Sequence, residues 1–87
     1  MEKLEKELKA QTEKMLKDLE KETGSIRITD RIDKKITKEA VENLRAYISD
    51  CRHFREKGDL IRAYEAIVYA WGIYETLLGM GLILKKP

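Results

Sequence analysis

Residues that interrupt secondary structure or join chains covalently are rare in this sequence. The only proline among its 87 residues is Pro87, so no interior segment contains a helix-breaking residue. The only cysteine, Cys51, cannot form a disulfide within the chain, which is typical of proteins from a reducing compartment. The opening residues, MEKLEKELK, lack the apolar stretch of a secretory signal. From these absences we expect a cytoplasmic protein.

The sequence also lacks any long segment whose charges are predominantly of one sign. Eighteen Lys and Arg residues oppose sixteen Asp and Glu residues, so the formal net charge is only +2. Nucleic-acid-binding proteins usually concentrate positive charge on one face, and this balance argues against a dedicated nucleic-acid-binding protein. Charged residues still make up 39% of the chain, against a usual fraction of about 25%. We expect a surface of mixed, solvated charges.

A chain of this length forms at most one domain, residues 1–87. A first helix is predicted over residues 2–23, where a narrow apolar stripe lies among Lys and Glu residues and Gly24 ends the pattern. This stripe is formed by Leu4, Leu8, Met15 and Leu19, and Leu16 widens it. Residues 24–36 alternate isoleucines with polar residues at first, but a single strand has no partner. We therefore expect them to form a connecting linker.

Residues 37–84 are predicted to contain a helical hairpin and an apolar tail. The second helix, residues 37–57, has Thr37 as its expected N-cap. Its buried stripe is formed by Val41, Leu44, Ile48 and Cys51. Gly58 ends this helix and Asp59 begins the third helix, residues 59–80. A connection this short makes the two helices antiparallel neighbours.

The third helix is unusually apolar. The segment GDLIRAYEAIVYAWGIYETLLGMGLIL carries only four charged residues, and the helix shows apolar residues on nearly all sides. Such a helix is surrounded by other elements, so we expect it to be central. We also expect part of its apolar surface to remain uncovered. A membrane span is disfavoured, because Arg62, Glu65 and Glu75 would each cost roughly 2.5–3.5 kcal/mol near the bilayer centre. The sequence predicts an all-α, antiparallel three-helix bundle.

No constellation of catalytic residues emerges from the sequence. Cys51 and His53 are two positions apart, so on a helix their side chains diverge by about 200°. Glu65 is expected to form an exposed ion pair with Arg62, and Glu75 to be partly buried without a second catalytic group. We predict no enzymatic activity, no metal site and no cofactor.

Three sets of residues are candidates for contact with a partner. Tyr69 projects from the polar strip of the third helix, either toward a partner or under the first helix. The tail residues Leu82, Ile83 and Leu84 either fold back over the end of the bundle or insert into a second copy. A small basic group, Arg27, Arg31, Lys34 and Lys35, could meet a phosphate backbone. Asp30 and Asp33 interrupt that group, and no aromatic residue lies there to stack on a base.

The start of the third helix resembles a known family. The pairs Gly58–Asp59, Arg62–Ala63 and Glu65–Ala66, followed by Tyr69–Ala70 and Gly72, fit the signature of the archaeal helical family called domain of unknown function 357. The resemblance covers about residues 37–82. It implies a small all-helical fold and an archaeal, cytoplasmic origin, and it brings no known activity.

These observations favour a non-enzymatic interaction or assembly module. We expect it to self-associate, as a dimer, through the third helix and the C-terminal tail, or to bind another helical protein. The alternative is a nucleic-acid-associated accessory protein that uses the basic segment of residues 27–35.

Overall fold

Three helices and a small two-stranded ribbon make up the fold. The computed structural model describes residues 2–86. The helices are α1 (Glu2–Glu22), α2 (Lys34–Glu56) and α3 (Leu60–Gly79), and the strands are β1 (Ile26–Ile28) and β2 (Ile83–Lys85). A short 3-10 turn, Thr23–Ser25, joins α1 to β1. The predicted all-α, three-helix architecture is confirmed.

Helix α1 is mostly exposed and docks through its second half. Its buried residues are Thr12, Leu16 and Leu19, whereas Leu4 is exposed. The Thr12 hydroxyl donates a hydrogen bond to the Leu8 carbonyl at 2.7 Å, which satisfies the one polar side chain on this buried face. Ion pairs from Glu13 to Arg55 and from Glu20 to Arg52 link the exposed edges of α1 and α2.

Helix α2 begins earlier than the sequence predicts. Asp33 is its N-cap, and the Asp33 carboxylate accepts a hydrogen bond from the Lys35 amide at 2.9 Å. The prediction of Thr37 as N-cap is therefore wrong. Thr37 lies one turn inside the helix and is buried, because its side chain lies on the same face as Val41 and Leu44.

The turn between α2 and α3 follows the prediction. Gly58 has a φ of 79°, a left-handed conformation that glycine adopts without steric cost. The Asp59 carboxylate then accepts a hydrogen bond from the Arg62 amide at 3.1 Å and caps α3. The two helices consequently run antiparallel, side by side.

Helix α3 is the central element and packs against both other helices. Its small face, formed by Ala63, Ala66 and Ala70, is buried together with Leu77. Its larger residues point toward α1, where the Trp71 indole donates a hydrogen bond to the Met15 carbonyl at 2.9 Å. Small side chains allow α2 to approach closely on one side, while aromatic side chains fill the wider gap to α1.

The linker and the tail meet in an antiparallel ribbon. The sequence offered no strand to pair with the linker, but the tail provides one. Strand β1 pairs with β2 in the register Ile26–Lys85, Arg27–Leu84 and Ile28–Ile83. Thr29 extends this pairing by donating from its amide to the Leu82 carbonyl at 3.0 Å. The prediction of a strand-free linker is therefore wrong. The tail folds back on its own chain, which was one of the two predicted outcomes.

Candidate functional site

One face of α3 remains uncovered by the other elements. Spacings alternating between four and three residues place its members on a single stripe of the helix. All of them are exposed: Ile61, Glu65, Val68, Gly72, Glu75 and Gly79. We call this set the outer stripe. It combines two aliphatic side chains, two glycines and two carboxylates, so it is apolar but interrupted by negative charge.

A shallow apolar groove adjoins the outer stripe along the seam between α2 and α3. It is lined by Ala40, Val68, Tyr69, Gly72, Ile73, Thr76 and Leu77. The Tyr69 ring lies 5.6 Å, centroid to centroid, from the ring of Tyr47 on α2 and is still 54% exposed. The predicted packing of Tyr69 under α1 is therefore wrong. Its contact with a partner stays a prediction. The Tyr69 ring lies at the edge of this groove, where a partner could reach it.

Gly72 has no evident role within the single chain. It lies in the interior of α3, where glycine is less favourable than alanine by about 0.8–1.0 kcal/mol. A Cβ atom built on Gly72 would meet no atom within 4 Å, and its φ is not in the left-handed region. Neither packing nor backbone conformation within residues 2–86 requires glycine here.

The tail offers less surface than the sequence predicts. Leu82 and Ile83 are buried against the bundle of their own chain, with Ile83 fully covered. Leu84 is exposed, because residues alternate across the ribbon and its partner Arg27 lies on the same outer face. Of the three predicted contact residues, Leu84 alone keeps surface for a partner.

The structure brings the four basic residues of the linker to one end of the molecule. Arg27 lies on the ribbon, and Lys34 and Lys35 form the first turn of α2. Arg31 packs against the tail at Gly81, where an added Cβ would lie 2.9 Å from the Arg31 Nη1 atom. Lys86, which the sequence did not single out, joins the same end by donating from its amide to the Ser25 carbonyl at 2.9 Å. The strand pairing brings Lys86 close to the linker, and the sequence alone does not reveal this.

The residues considered for catalysis are not brought together. Cys51 is fully buried in the core, and burial raises the pKa of its thiol, which keeps the unreactive protonated form. His53 is exposed beside Phe54. Glu65 and Glu75 are both exposed, so the predicted partial burial of Glu75 is wrong. Arg62 pairs with Asp59 at 3.6 Å rather than with Glu65.

A polar cluster joins the end of α1 to the ribbon. The Lys85 ammonium lies 2.7 Å from the Glu22 carboxylate, and the Tyr74 hydroxyl donates to the same carboxylate at 3.4 Å. The hydrogen bond from Lys85 lowers the pKa of Glu22 and correspondingly raises the pKa of Lys85. Burial raises the pKa of Tyr74. This cluster connects three elements around a buried tyrosine, which is a structural arrangement rather than a reactive one.

Residues 2–86 contain neither a metal-binding cluster nor a membrane-spanning helix. Within residues 2–86, no three His, Cys, Asp or Glu side chains are grouped so that they could hold a metal ion. None of the helices in that range combines the length and the apolarity needed to cross a bilayer.

Comparisons with known proteins agree with this fold. The model of the family described as "Protein of unknown function (DUF357)" matches residues 12–83. The crystal structure of protein AF1782 from Archaeoglobus fulgidus, assigned to the same family, superposes with a TM-score of 0.81 at 37% sequence identity. That alignment covers 95% of this chain and 99% of the other. Among curated proteins, none matches.

Proposed function

This chain belongs to the DUF357 family, and we propose that it is a non-enzymatic interaction module that forms a homodimer through the outer stripe of α3 and the adjoining groove. We also propose a cytoplasmic location, because the one cysteine of the chain cannot form an internal disulfide. The tail is not part of the proposed interface, since Leu82 and Ile83 are covered by their own chain.

Gly72 is the observation that carries this proposal. A glycine in a helix interior permits the backbone of another element to approach closely, because no side chain separates them. No element within residues 2–86 makes that approach, and the surrounding stripe and groove are lined by Val68, Tyr69 and Ile73. A second helix crossing at Gly72 would bury these apolar side chains.

The surface area of the chain supports the same proposal. It exposes 6242 Å², whereas a compact monomer of 10.2 kDa would expose about 5,300 Å². The excess is similar to the ~800 Å² that each partner buries in an interface of standard size.

The two carboxylates of the outer stripe determine which dimer is favourable. In a parallel, in-register pair, Glu65 and Glu75 would each face their own copy and repel it. In an antiparallel pair centred on Gly72, Glu65 of one copy instead lies opposite Gly79 of the other, and Val68 lies opposite Thr76. We therefore propose a two-fold, antiparallel crossing of α3 at Gly72.

The test is the molar mass in solution, measured by light scattering over a wide range of protein concentration. We expect the wild-type protein to have about twice the 10.2 kDa mass of the chain. Gly72→Arg should yield a monomer, because the arginine side chain would separate the two helices. Since arginine is a better helix former than glycine, the variant should keep or increase its helical stability.

Gly24→Arg is the matched control. Gly24 is also exposed, has no atom within 4 Å of a built Cβ and lies outside the proposed interface. It should leave the dimer intact. A monomeric wild-type protein, or a Gly72→Arg protein that remains dimeric, would refute the proposed interface.

The antiparallel orientation has its own test. Two cysteines form a disulfide only when their Cα atoms lie within about 7 Å of each other. Oxidation of a Gly72→Cys variant should therefore join two chains efficiently, whereas a Gly24→Cys variant should not. If the Gly72→Cys variant is a dimer but forms no disulfide between its two chains, the helices do not cross at this residue. The proposed interface would otherwise stand.

A further inference from the structure

The positive charge of this protein is concentrated at the ribbon end. That end consists of the ribbon, the loop after β1 and the first turn of α2. It carries six basic residues: Arg27, Arg31, Lys34, Lys35, Lys85 and Lys86. Three carboxylates oppose them there, from Glu22, Asp30 and Asp33, so the local formal charge is +3. Because the whole chain has a formal charge of +2, the rest of the molecule is slightly negative.

Most of these cations have no ion-pair partner. Of these six basic residues, only Lys85 forms an ion pair within residues 2–86, and its partner is Glu22. Asp33, the residue before Lys34, accepts the backbone hydrogen bond that caps α2. The other five cations are therefore available to an external anion.

The arrangement of these cations is unfavourable for the chain alone. The first turn of α2 contains Lys34 and Lys35 and no acidic residue. The amino end of a helix carries a partial positive charge, so cations there are destabilising by a few tenths of a kcal/mol. An external anion at this end would be attracted by these side chains.

The ribbon presents its share of the charge on an accessible face. Ile28 and Ile83 point inward, and the alternation of side chains puts Arg27 on the opposite, outer face. Lys86 follows Leu84 by two residues and lies on that same face. Arg31 is held nearby by its close contact with Gly81. Cations from the linker and from the tail thus form one surface.

We propose that this basic end binds the phosphate backbone of a nucleic-acid duplex. No Trp, Tyr or Phe lies in residues 25–36 or 80–86, so stacking on the bases of a single strand is not available. An anionic bilayer would attract the same cations, so binding to lipid vesicles is the competing outcome in the test. Binding through phosphates alone is largely independent of base sequence and is strongest for the duplex, whose charge density is higher. This activity uses a surface separate from the proposed dimer interface and does not depend on it.

Fluorescence anisotropy tests the proposal with labelled 20-base-pair duplexes of mixed sequence, one of DNA and one of RNA. The DNA and RNA arms show which of the two backbones is preferred. We expect a Kd of roughly 1–100 μM at 50 mM NaCl, weaker binding to the single strands, and a Kd that rises steeply with salt. Each phosphate contact should contribute about 0.9 to the slope of log K against log salt concentration for DNA.

The decisive comparison uses two variants with the same net charge. One replaces Arg27, Arg31, Lys34 and Lys35 by glutamine. The other replaces Lys3, Lys6, Lys9 and Lys17 of α1, which are equally exposed, by glutamine. The first should bind the duplex at least tenfold more weakly with a smaller salt slope, and the second should lose much less. The double substitution Arg27→Gln and Lys86→Gln on the outer face of the ribbon provides a milder variant if the fourfold change alters the fold.

Three results would overturn the proposal. The first is the absence of duplex binding at 50 mM NaCl. The second is an equal loss of affinity in the two charge-matched variants, which would indicate unspecific attraction. The third is binding to vesicles containing anionic lipid at concentrations where the duplex is not bound, which would assign this surface to a membrane instead.

Discussion

At the scale of single residues, the Glu22–Lys85 pair links stability to pH. The hydrogen bond from Lys85 lowers the pKa of Glu22 below its ordinary value of 4.5. A carboxyl group with a lowered pKa in the folded state stabilises the protein above its unfolded pKa, and this contribution is lost as the pH falls through the folded pKa. We expect Glu22→Gln to lower the Tm at pH 7, and this difference from wild type to disappear once Glu22 is protonated.

Thermal unfolding followed by circular dichroism between pH 7 and pH 2 measures this difference. Glu39→Gln is the control, since Glu39 is exposed and forms none of the ion pairs within residues 2–86. Its effect on Tm should be small and nearly constant with pH. A Glu22→Gln effect that is equally constant would show that the Lys85 contact does not stabilise the fold.

Single residues also show where sequence patterns succeed. The buried position of Cys51 and the capping role of Asp59 follow from local spacing, and both are confirmed. The start of α2 shows where such patterns fail, because the helix begins at Lys34 with Asp33 as its N-cap and not at Thr37. Thr37 is buried on the same face of α2 as Val41 and Leu44, which its suitability as an N-cap residue does not reveal.

At the scale of secondary structure elements, the ribbon is the main feature that the sequence did not predict. Its strands lie at residues 26–28 and 83–85, and each is too short to be recognised by itself. Their pairing joins segments that are distant in sequence, at the two ends of the α2–α3 hairpin, so no local pattern indicates it. Of the linker isoleucines, Ile26 and Ile28 pack against the core, whereas Ile32 and Ile36 are exposed.

The ribbon predicts effects of very different size for two neighbouring substitutions. Ile83 is fully buried and Leu84 is exposed. Ile83→Ala should therefore lower the free energy of unfolding by about 2–5 kcal/mol. Leu84→Ala should change it by about 0.5 kcal/mol or less. Urea unfolding monitored by circular dichroism measures both, and similar values for the two variants would contradict the inward position of Ile83.

At the scale of the whole molecule, the fold is elongated for its length. Its principal extents are 47, 22 and 17 Å, and its radius of gyration is 14.1 Å. A compact domain of 87 residues would have a radius of gyration of about 12 Å. The apolar character of α3 made it predictable that some apolar surface would remain, but not where it would lie. Its position depends on which faces of α3 are covered by α1 and α2.

The proposed dimer predicts that stability depends on protein concentration. If a second copy covers the outer stripe, part of the stability of each chain comes from the interface, and the folded dimer is favoured at high protein concentration. A 100-fold rise in concentration should stabilise each chain by about 1.4 kcal/mol, half of the 2.7 kcal/mol available to a dimer. For a domain of this size, that corresponds to a Tm increase of roughly 5–10 °C. Thermal unfolding at 5 and 500 μM should show this increase for wild-type protein and for Gly24→Arg, and no increase for Gly72→Arg. A wild-type Tm that does not change with concentration would mean that the chain unfolds as a monomer and that the outer stripe stays exposed to water.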